Sequence, residues 1–432
     1  MTAFIPLSAF DTVARFRDHL AELGVGLDLD VELEGGPDAP LAGSLATMGR
    51  TVGNRFCVHP MEGWDSDLDG RPTALSRRRW RALGRSGAKM IWNESIAVHP
   101  LGRSTPEQLL FAPQTVESLT ALRREQVDAH IQAHGNTDVL VVGVQLTHSG
   151  RHSKPDGRPR PVAARRHPLF DETIGPGAHT PLLTDDELRS FIGDYVRAAE
   201  LAHRAGFDFV DLKSCHGYLS HELLGAFERP GDFGGSFENR TRFLREVIAG
   251  VRDAAPALGI AIRLSAFDTI THEPDENGVG RPITDEPFRY WFGTDASGHH
   301  IDLSEPIALL EMLRDLSVEL VSITASSPHS VRHYQTPTAP RPGENYINPE
   351  NPLHGVARHL AVTASLKQAV PQLTYVGAGY SYLQQFLPHV AQSRVRHDEV
   401  DLVGIGRMHL ASADAVPSML AGRRPELDRS YF

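Results

Sequence analysis

Eight short apolar runs, spaced along the chain and separated by longer amphipathic stretches, constrain its fold more than any other feature. The runs are 55–59, 89–94, 139–145, 207–212, 260–264, 320–324, 373–376 and 400–405. Most are continuously apolar rather than alternating, which suits parallel strands buried on both faces. Helical patterns follow at 75–85, 115–133, 184–205, 237–252, 306–316, 355–370, 380–395 and 409–420. The third of these opens on Thr184-Asp-Asp-Glu187, in which Glu187 can reach back to the Thr184 amide. Strands each followed by a helix predict an α/β fold, a single-domain (β/α)8 TIM barrel. A doubly wound sheet is the alternative, weakened because no Gly-x-Gly-x-x-Gly follows the first strand. Residues 1–50 read as an N-terminal cover with a helix near 9–23, and 51–432 as the barrel.

Three long βα loops, 147–183, 265–303 and 325–354, follow strand ends and are rich in Gly, Pro, His and charged residues. Barrel enzymes place their chemistry at that end. The formal charge of −11 argues against a nucleic-acid or anionic-membrane surface. The two cysteines, Cys57 and Cys215, are too few for a four-cysteine zinc site or an iron–sulfur cluster. Both fall in or beside strand-like runs, so a reducing compartment is expected. No signal-peptide pattern and no run approaching the ~20 apolar residues of a membrane span is visible. The expectation is a cytoplasmic protein acting on a small molecule, with homo-oligomerisation left open.

The fourth run ends in Asp211-Leu-Lys213-Ser-Cys-His216-Gly-Tyr218. Three polar side chains delivered within six residues of a strand end read as a site. Lys213 and His216 can donate to a carbonyl or nitro oxygen, and Tyr218 can deliver a proton to carbon. Gln145, at the third strand end, offers both a donor and an acceptor. Arg263 lies inside an otherwise apolar strand and needs an anionic or electron-rich partner, for which Glu94 or Asp211 are structural alternatives. Two glycine turns, Val376-Gly377-Ala378-Gly379 and Val403-Gly-Ile-Gly406-Arg407, each open a helical pattern after the last two strands. That is the usual phosphate site of barrel enzymes.

In this order the pieces resemble the Old Yellow Enzyme family of flavin mononucleotide (FMN) ene-reductases, over roughly residues 54–423. The resemblance rests on Asn54-Arg55, Pro60-Met61, Glu94 to Val98, Gln145, His148 to Arg151, His216-Gly-Tyr218-Leu219, Gly234-Gly-Ser236 with Glu238-Asn-Arg240, Arg263-Leu-Ser265 and Gly404 to Arg407. It implies that Pro60, Met61, Ser95, Gln145 and Arg263 surround the isoalloxazine, with Arg263 favouring the anionic reduced ring at N1. Gly379, Gly406 and Arg407 would hold the phosphate, beside Gly377 and Ala378. His216 would bind the activating oxygen of the substrate and Tyr218 would donate the proton. NADPH or NADH would be the reductant.

Two residues depart from the family pattern. Lys213 stands where histidine is usual, and Glu62 where threonine or cysteine usually lies near the flavin. The expectation is an ion pair between them across the flavin edge, and a changed redox potential and substrate range. Lys213 also fits a carboxylate-bearing or more anionic substrate, or could instead face flavin N1 and O2. The competing readings are an oxidative flavoenzyme of the amine dehydrogenase or demethylase type, a Schiff-base lyase using Lys213, and a silent flavin-binding protein. The chain resembles the short, FMN-only kind without an iron–sulfur domain.

Overall fold

A computed structural model describes residues 4–171, 182–287, 291–338 and 345–431. Parts of the three predicted loops (172–181, 288–290 and 339–344) lie outside the described residues. The eight predicted strands are all present: β1 Phe56–Val58, β2 Met90–Ala97, β3 Val141–Thr147, β4 Phe209–Leu212, β5 Gly259–Ser265, β6 Leu320–Thr324, β7 Thr374–Gly377 and β8 Leu402–Ile405. They close into a parallel barrel in sequence order, with β8 pairing β1. The principal helices around it are α1 Ala74–Gly84, α2 Val116–His134, α3 Asp185–Arg204, α4 Phe237–Ala254, α5 Ser304–Asp315, α6 Pro352–Ala369, α7 Leu387–Arg396 and α8 Ala415–Leu420.

Local chemistry starts several of these helices. The α3 capping box is made, with Thr184 Oγ1 accepting from the Glu187 amide and Glu187 Oε2 from the Thr184 amide. Ser236 caps α4 by accepting from the Asn239 amide. Two predicted helices are broken. The stretch 380–395 divides into a 3-10 segment, Tyr380–Phe386, and α7, because Gln384 takes φ 51° and ψ −123° and Pro388 enters the first turn of α7. The stretch 409–420 divides into Met408–Ala411 and α8, separated by an extended Ser412.

The N-terminal segment packs in two places. Its helix, Val13–Glu22, lies against the α7 flank, where Phe16 stacks on Phe386 at 4.1 Å. A hairpin, Leu45–Thr47 with Arg50–Val52, turns through Met48 and Gly49, both left-handed, as a two-residue hairpin requires. Leu45 and Met48 pack on the apolar layer of Val52, Met90, Trp92, Phe209 and Leu402. This closes the N-terminal end of the barrel, so the C-terminal end is the open one. There the loop after β5 forms a second hairpin, His272–Pro274 with Gly280–Pro282, and pairs with the loop after β6 through Val279 and Ile347. Among the described residues, no helix is long and apolar enough to cross a membrane.

Candidate active site

A bulge between Asn93 and Ser95 shifts the register of β2 against β3. It lets successive side chains serve different partners. Glu94 accepts from Arg79 and from Trp80 Nε1 at 2.6 and 2.7 Å, which ties β2 to α1. Ser95 instead donates to Gln145 Oε1. Gln145 Nε2 donates to Asp211 Oδ2 at 2.5 Å, and Asp211 also accepts from Trp92 Nε1 and from the Arg263 amide. Burial pushes the Asp211 carboxyl up to about 6 against these donors.

Lys213 completes the chain. Its ammonium donates to Glu62 Oε1 at 2.9 Å and to Ser95 Oγ at 3.0 Å, and sits 3.9 Å from the centre of the Tyr218 ring. An ammonium has three N–H groups, so one remains for another acceptor. Glu62 Oε2 accepts from Trp64 Nε1 and Ser104 Oγ at 2.9 and 3.0 Å. Burial alone would raise the Glu62 carboxyl; the charge and hydrogen bond of Lys213, with the Trp64 and Ser104 donors, outweigh it and hold it below the usual range. The Lys213–Glu62 pair anticipated from the sequence is therefore present.

The turn that carries His216 is unusual backbone. His216 has φ 64° and Gly217 φ 78°. A left-handed histidine persists only when its surroundings over-determine it. Here Ser265 Oγ accepts from the His216 amide, Ser327 Oγ donates to the His216 carbonyl, and His221 Nδ1 accepts from the Gly217 amide. His216 Nε2 lies 3.3 Å from Gln335 Nε2, which as an amide nitrogen donates, so the imidazole proton belongs on Nδ1. Burial, then the Arg263 and Lys213 charges, hold His216 well below its ordinary value, and it is neutral. Burial, then the Glu62 charge, raises Tyr218 well above its ordinary value, so the phenol keeps its proton.

Arg263 pairs with neither Glu94 nor Asp211 through its guanidinium. Its NH1 donates to the Pro60 carbonyl at 3.3 Å, and its Nε is buried with no acceptor among the described residues. A buried guanidinium nitrogen without an acceptor fits an electron-rich ligand above it. The glycine turns fit a close-lying ligand as well. Gly379 has φ 93°, and a Cβ at Gly406 would stand 3.1 Å from Met61 Sδ. Ser381 Oγ ties the turns together by accepting from the Gly406 and Met408 amides, and Arg407 donates to the Pro337 carbonyl. Gly377 ends β7 and Ala378 is buried beside it.

Every predicted site residue thus falls at the C-terminal end of the barrel. Trp64, Ser104, His221, Ser327 and Gln335 were not anticipated; Ser104, Ser327 and Gln335 are distant in sequence from the residues they hold, whereas Trp64 and His221 stand two residues from Glu62 and four from Gly217. Asp211 was legible only as a possible Arg263 partner, although a carboxylate inside an apolar strand is itself a signal.

A closed parallel barrel, two glycine turns at its last strand ends, and a lysine, histidine and tyrosine converging at its open mouth define an enzyme-type α/β barrel. Residues 47–285, more than half of the chain, match the profile of the NADH:flavin oxidoreductase / NADH oxidase family, and the chain belongs to that family. An NADPH dehydrogenase of Bacillus velezensis is 32% identical over 225 residues, 50% of this chain and 61% of the relative. The match therefore spans about three fifths of that relative's length. Morphinone reductase shares the fold at a TM-score of 0.61 and 21% identity, covering 91% of this chain and 93% of that one. The Old Yellow Enzyme homologue of Zymomonas mobilis does so at 0.61 and 18%, covering 91% and 96%.

Proposed function

We propose that the protein is an FMN-dependent oxidoreductase that uses NADPH or NADH to reduce the C=C bond of an activated alkene. The observation that carries the reading is the Lys213 ammonium, bonded to Ser95 of the Ser95–Gln145 pair and 3.9 Å from the Tyr218 ring centre, with an Arg263 Nε that has no acceptor among the described residues. Family membership and the NADPH dehydrogenase relatives support it.

Pro60, Met61, Glu62, Ser95, Gln145 and Arg263 would hold the isoalloxazine, and Gly377 to Gly379 with Gly406 and Arg407 the phosphate. Bound FMN would supply the two-electron chemistry, carrying hydride from the nicotinamide to the β-carbon of the alkene. The remaining N–H of Lys213 and the Nδ1–H of His216 bind the activating oxygen of the substrate and stabilise the negative charge that develops on it. Tyr218 delivers its proton to the α-carbon. The phenol suits that task because it is protonated throughout the neutral range. Nicotinamide and alkene use the same mouth in turn, so no separate dinucleotide domain is required.

The oxidative reading needs Glu62 to be free to meet an amine. Glu62 is instead engaged by Lys213, Trp64 and Ser104. The Schiff-base reading needs a Lys213 nitrogen free to attack a carbonyl, and that nitrogen is engaged by Glu62 Oε1 at 2.9 Å and Ser95 Oγ at 3.0 Å. The test is the visible spectrum of the purified protein. NADPH bleaches the yellow chromophore without oxygen, and cyclohexenone restores it. A protein bleached only by an amine would reverse the assignment to the oxidative type.

A further inference from the structure

Arg332 opens a short helix, Arg332–Gln335, in the loop after β6. The helix is pinned on its inner side. His333 is buried and meets the Tyr346 hydroxyl at 2.9 Å, and the Tyr334 carbonyl lies 2.6 Å from His359 Nε2. Arg332 itself is exposed. Its guanidinium lies 6.0 Å from the centre of the Tyr346 ring and has no hydrogen bond or ion pair among the described residues. Arg332 and Tyr346 stand in the walls of two cavities, of about 310 and 350 Å3. The smaller is also lined by Gln335, Thr338 and Asn348 and has no carboxylate in its wall. Glu273 is the carboxylate in the wall of the larger.

Gln335 joins the smaller cavity to the catalytic turn. Its Nε2 lies 3.3 Å from His216 Nε2, and Thr336 Oγ1 donates to its Oε1. Arg332 and Gln335 are three residues apart on one helical turn, which sets their Cβ atoms about 5–6 Å from each other. An anion on Arg332 is therefore a short spacer away from a group on His216. Two imidazoles tie Arg332 to the same mouth. His329 stacks on His152 at 3.8 Å, and the His152 ring lies 6.1 Å from that of Tyr218. Desolvation, then the charges of Lys154, Arg332 and Lys213, lowers His329 to about 4, so it is neutral and adds no charge of its own. Lys154 is exposed, and its ammonium too has no hydrogen bond or ion pair among the described residues. Lys213, by contrast, is matched by Glu62. The chain carries a formal charge of −11, so two unmatched cations beside the mouth favour a ligand that brings negative charge there.

We propose that Arg332 binds a phosphate of the nicotinamide dinucleotide, with Lys154 adding to the attraction. The proposal rests on the reading above for the hydride, and on the cavity and its unmatched cation for the phosphate. With the carboxamide oxygen of the nicotinamide on His216, the ribose passes Gln335 and a phosphate reaches Arg332. An uncharged alkene uses the same mouth without calling on Arg332. The residue therefore separates reductant from substrate at a site that both must enter.

Calorimetric titration with NADP+ tests the site without turnover. The FMN-loaded wild type should bind it saturably, and Arg332→Gln should weaken binding roughly tenfold, the loss of one hydrogen bond to a charged group. The contact is exposed, so added sodium chloride should weaken wild-type binding more steeply than that of the variant. Anaerobic stopped-flow mixing then compares NADPH and NADH with an N-benzyl dihydronicotinamide, which has the same ring and no phosphate. Arg332→Gln should lower the second-order rate of flavin bleaching by NADPH roughly tenfold relative to the benzyl donor. The same loss with NADH puts the pyrophosphate on Arg332, and a loss confined to NADPH puts the 2′-phosphate there. Unchanged NADP+ binding, or equal losses on the dinucleotides and the benzyl donor, overturns the proposal. So does a loss confined to turnover of an α,β-unsaturated acid, which would hand the cation to the substrate. Should Arg332→Gln fail to fold, the wild-type titration stands by itself, and NADP+ binding indifferent to salt overturns the site. A wild type that binds NADP+ through Arg332 but is bleached by neither dinucleotide removes the reductase reading and keeps the phosphate site.

Discussion

Lys213 has two fixed partners, Glu62 and Ser95, and a third N–H to spare. A buried pair of this kind contributes little net stability, but removing one member leaves the other uncompensated, at about 3–5 kcal/mol. Glu62→Gln should therefore lower stability in a chemical melt. It should also raise the reduction potential of the bound flavin, since a negative charge beside the ring is removed while Lys213 stays. For a two-electron couple each 30 mV is about 1.4 kcal/mol, and an unchanged potential in a dye-coupled titration would show that the pair does not face the flavin. Tyr218→Phe should slow alkene reduction by about 10²–10⁴-fold, the usual worth of a positioned acid. Bleaching by NADPH should stay near wild type in stopped-flow mixing. Equal loss in both half-reactions would remove Tyr218 from the role of proton donor.

At the scale of elements, the cap of α3 offers a clean test. Thr184 accepts from the Glu187 amide on an exposed helix start, so Thr184→Ala should cost about 1 kcal/mol in urea unfolding, with little change in turnover. A loss of activity larger than the loss of stability would mean that α3 does more than support β4. Strands were legible because eight runs of apolar residues can be buried on both faces in a parallel sheet covered by helices, and that sheet closes into a barrel. Helix ends were legible where a cap is written into neighbouring residues, as at Thr184. The breaks at Gln384 and Ser412 were not, since both segments keep helical periodicity while the chain bends to bring the glycine turns together through Ser381. The closing hairpin at 45–52 was also missed. Its strands are three residues each and bury against the barrel floor rather than against each other.

For the whole molecule, the buried histidines set the response to acid. Burial lowers His148, His221 and His333 to about 3, and His359 and His409 to about 4. Each stays neutral in the fold but takes a proton when unfolded, near its ordinary value of about 6.5. Their contribution is complete above about pH 6.5 and is lost as pH falls toward 3–4. Asp211 and Asp268 act in the opposite sense, because burial raises them to about 6 and 7 and the fold takes up their protons first. Two carboxyls cannot offset five imidazoles, so the net effect is destabilisation by acid. Scanning calorimetry should give a Tm that falls between pH 7 and 4.5. A flat profile would mean that these histidines are open to water.

The amino-acid sequence by itself determined the barrel, the order of its strands, and the segment after β4 that carries Lys213, His216 and Tyr218. Those features depend on periodicity and on residues close together in the chain, which a single strand of text preserves. Resemblance to relatives extended this to the Lys213–Glu62 pair. Only the tertiary structure decided what else holds that pair and how His216 is kept in a left-handed turn. Each of those depends on polar groups finding partners across the barrel mouth, from Trp64 and Ser104 on one side to Ser327 and Gln335 on the other. A hydrogen bond is set by distance in space, and the loops that set these distances carry no periodicity from which they could be read.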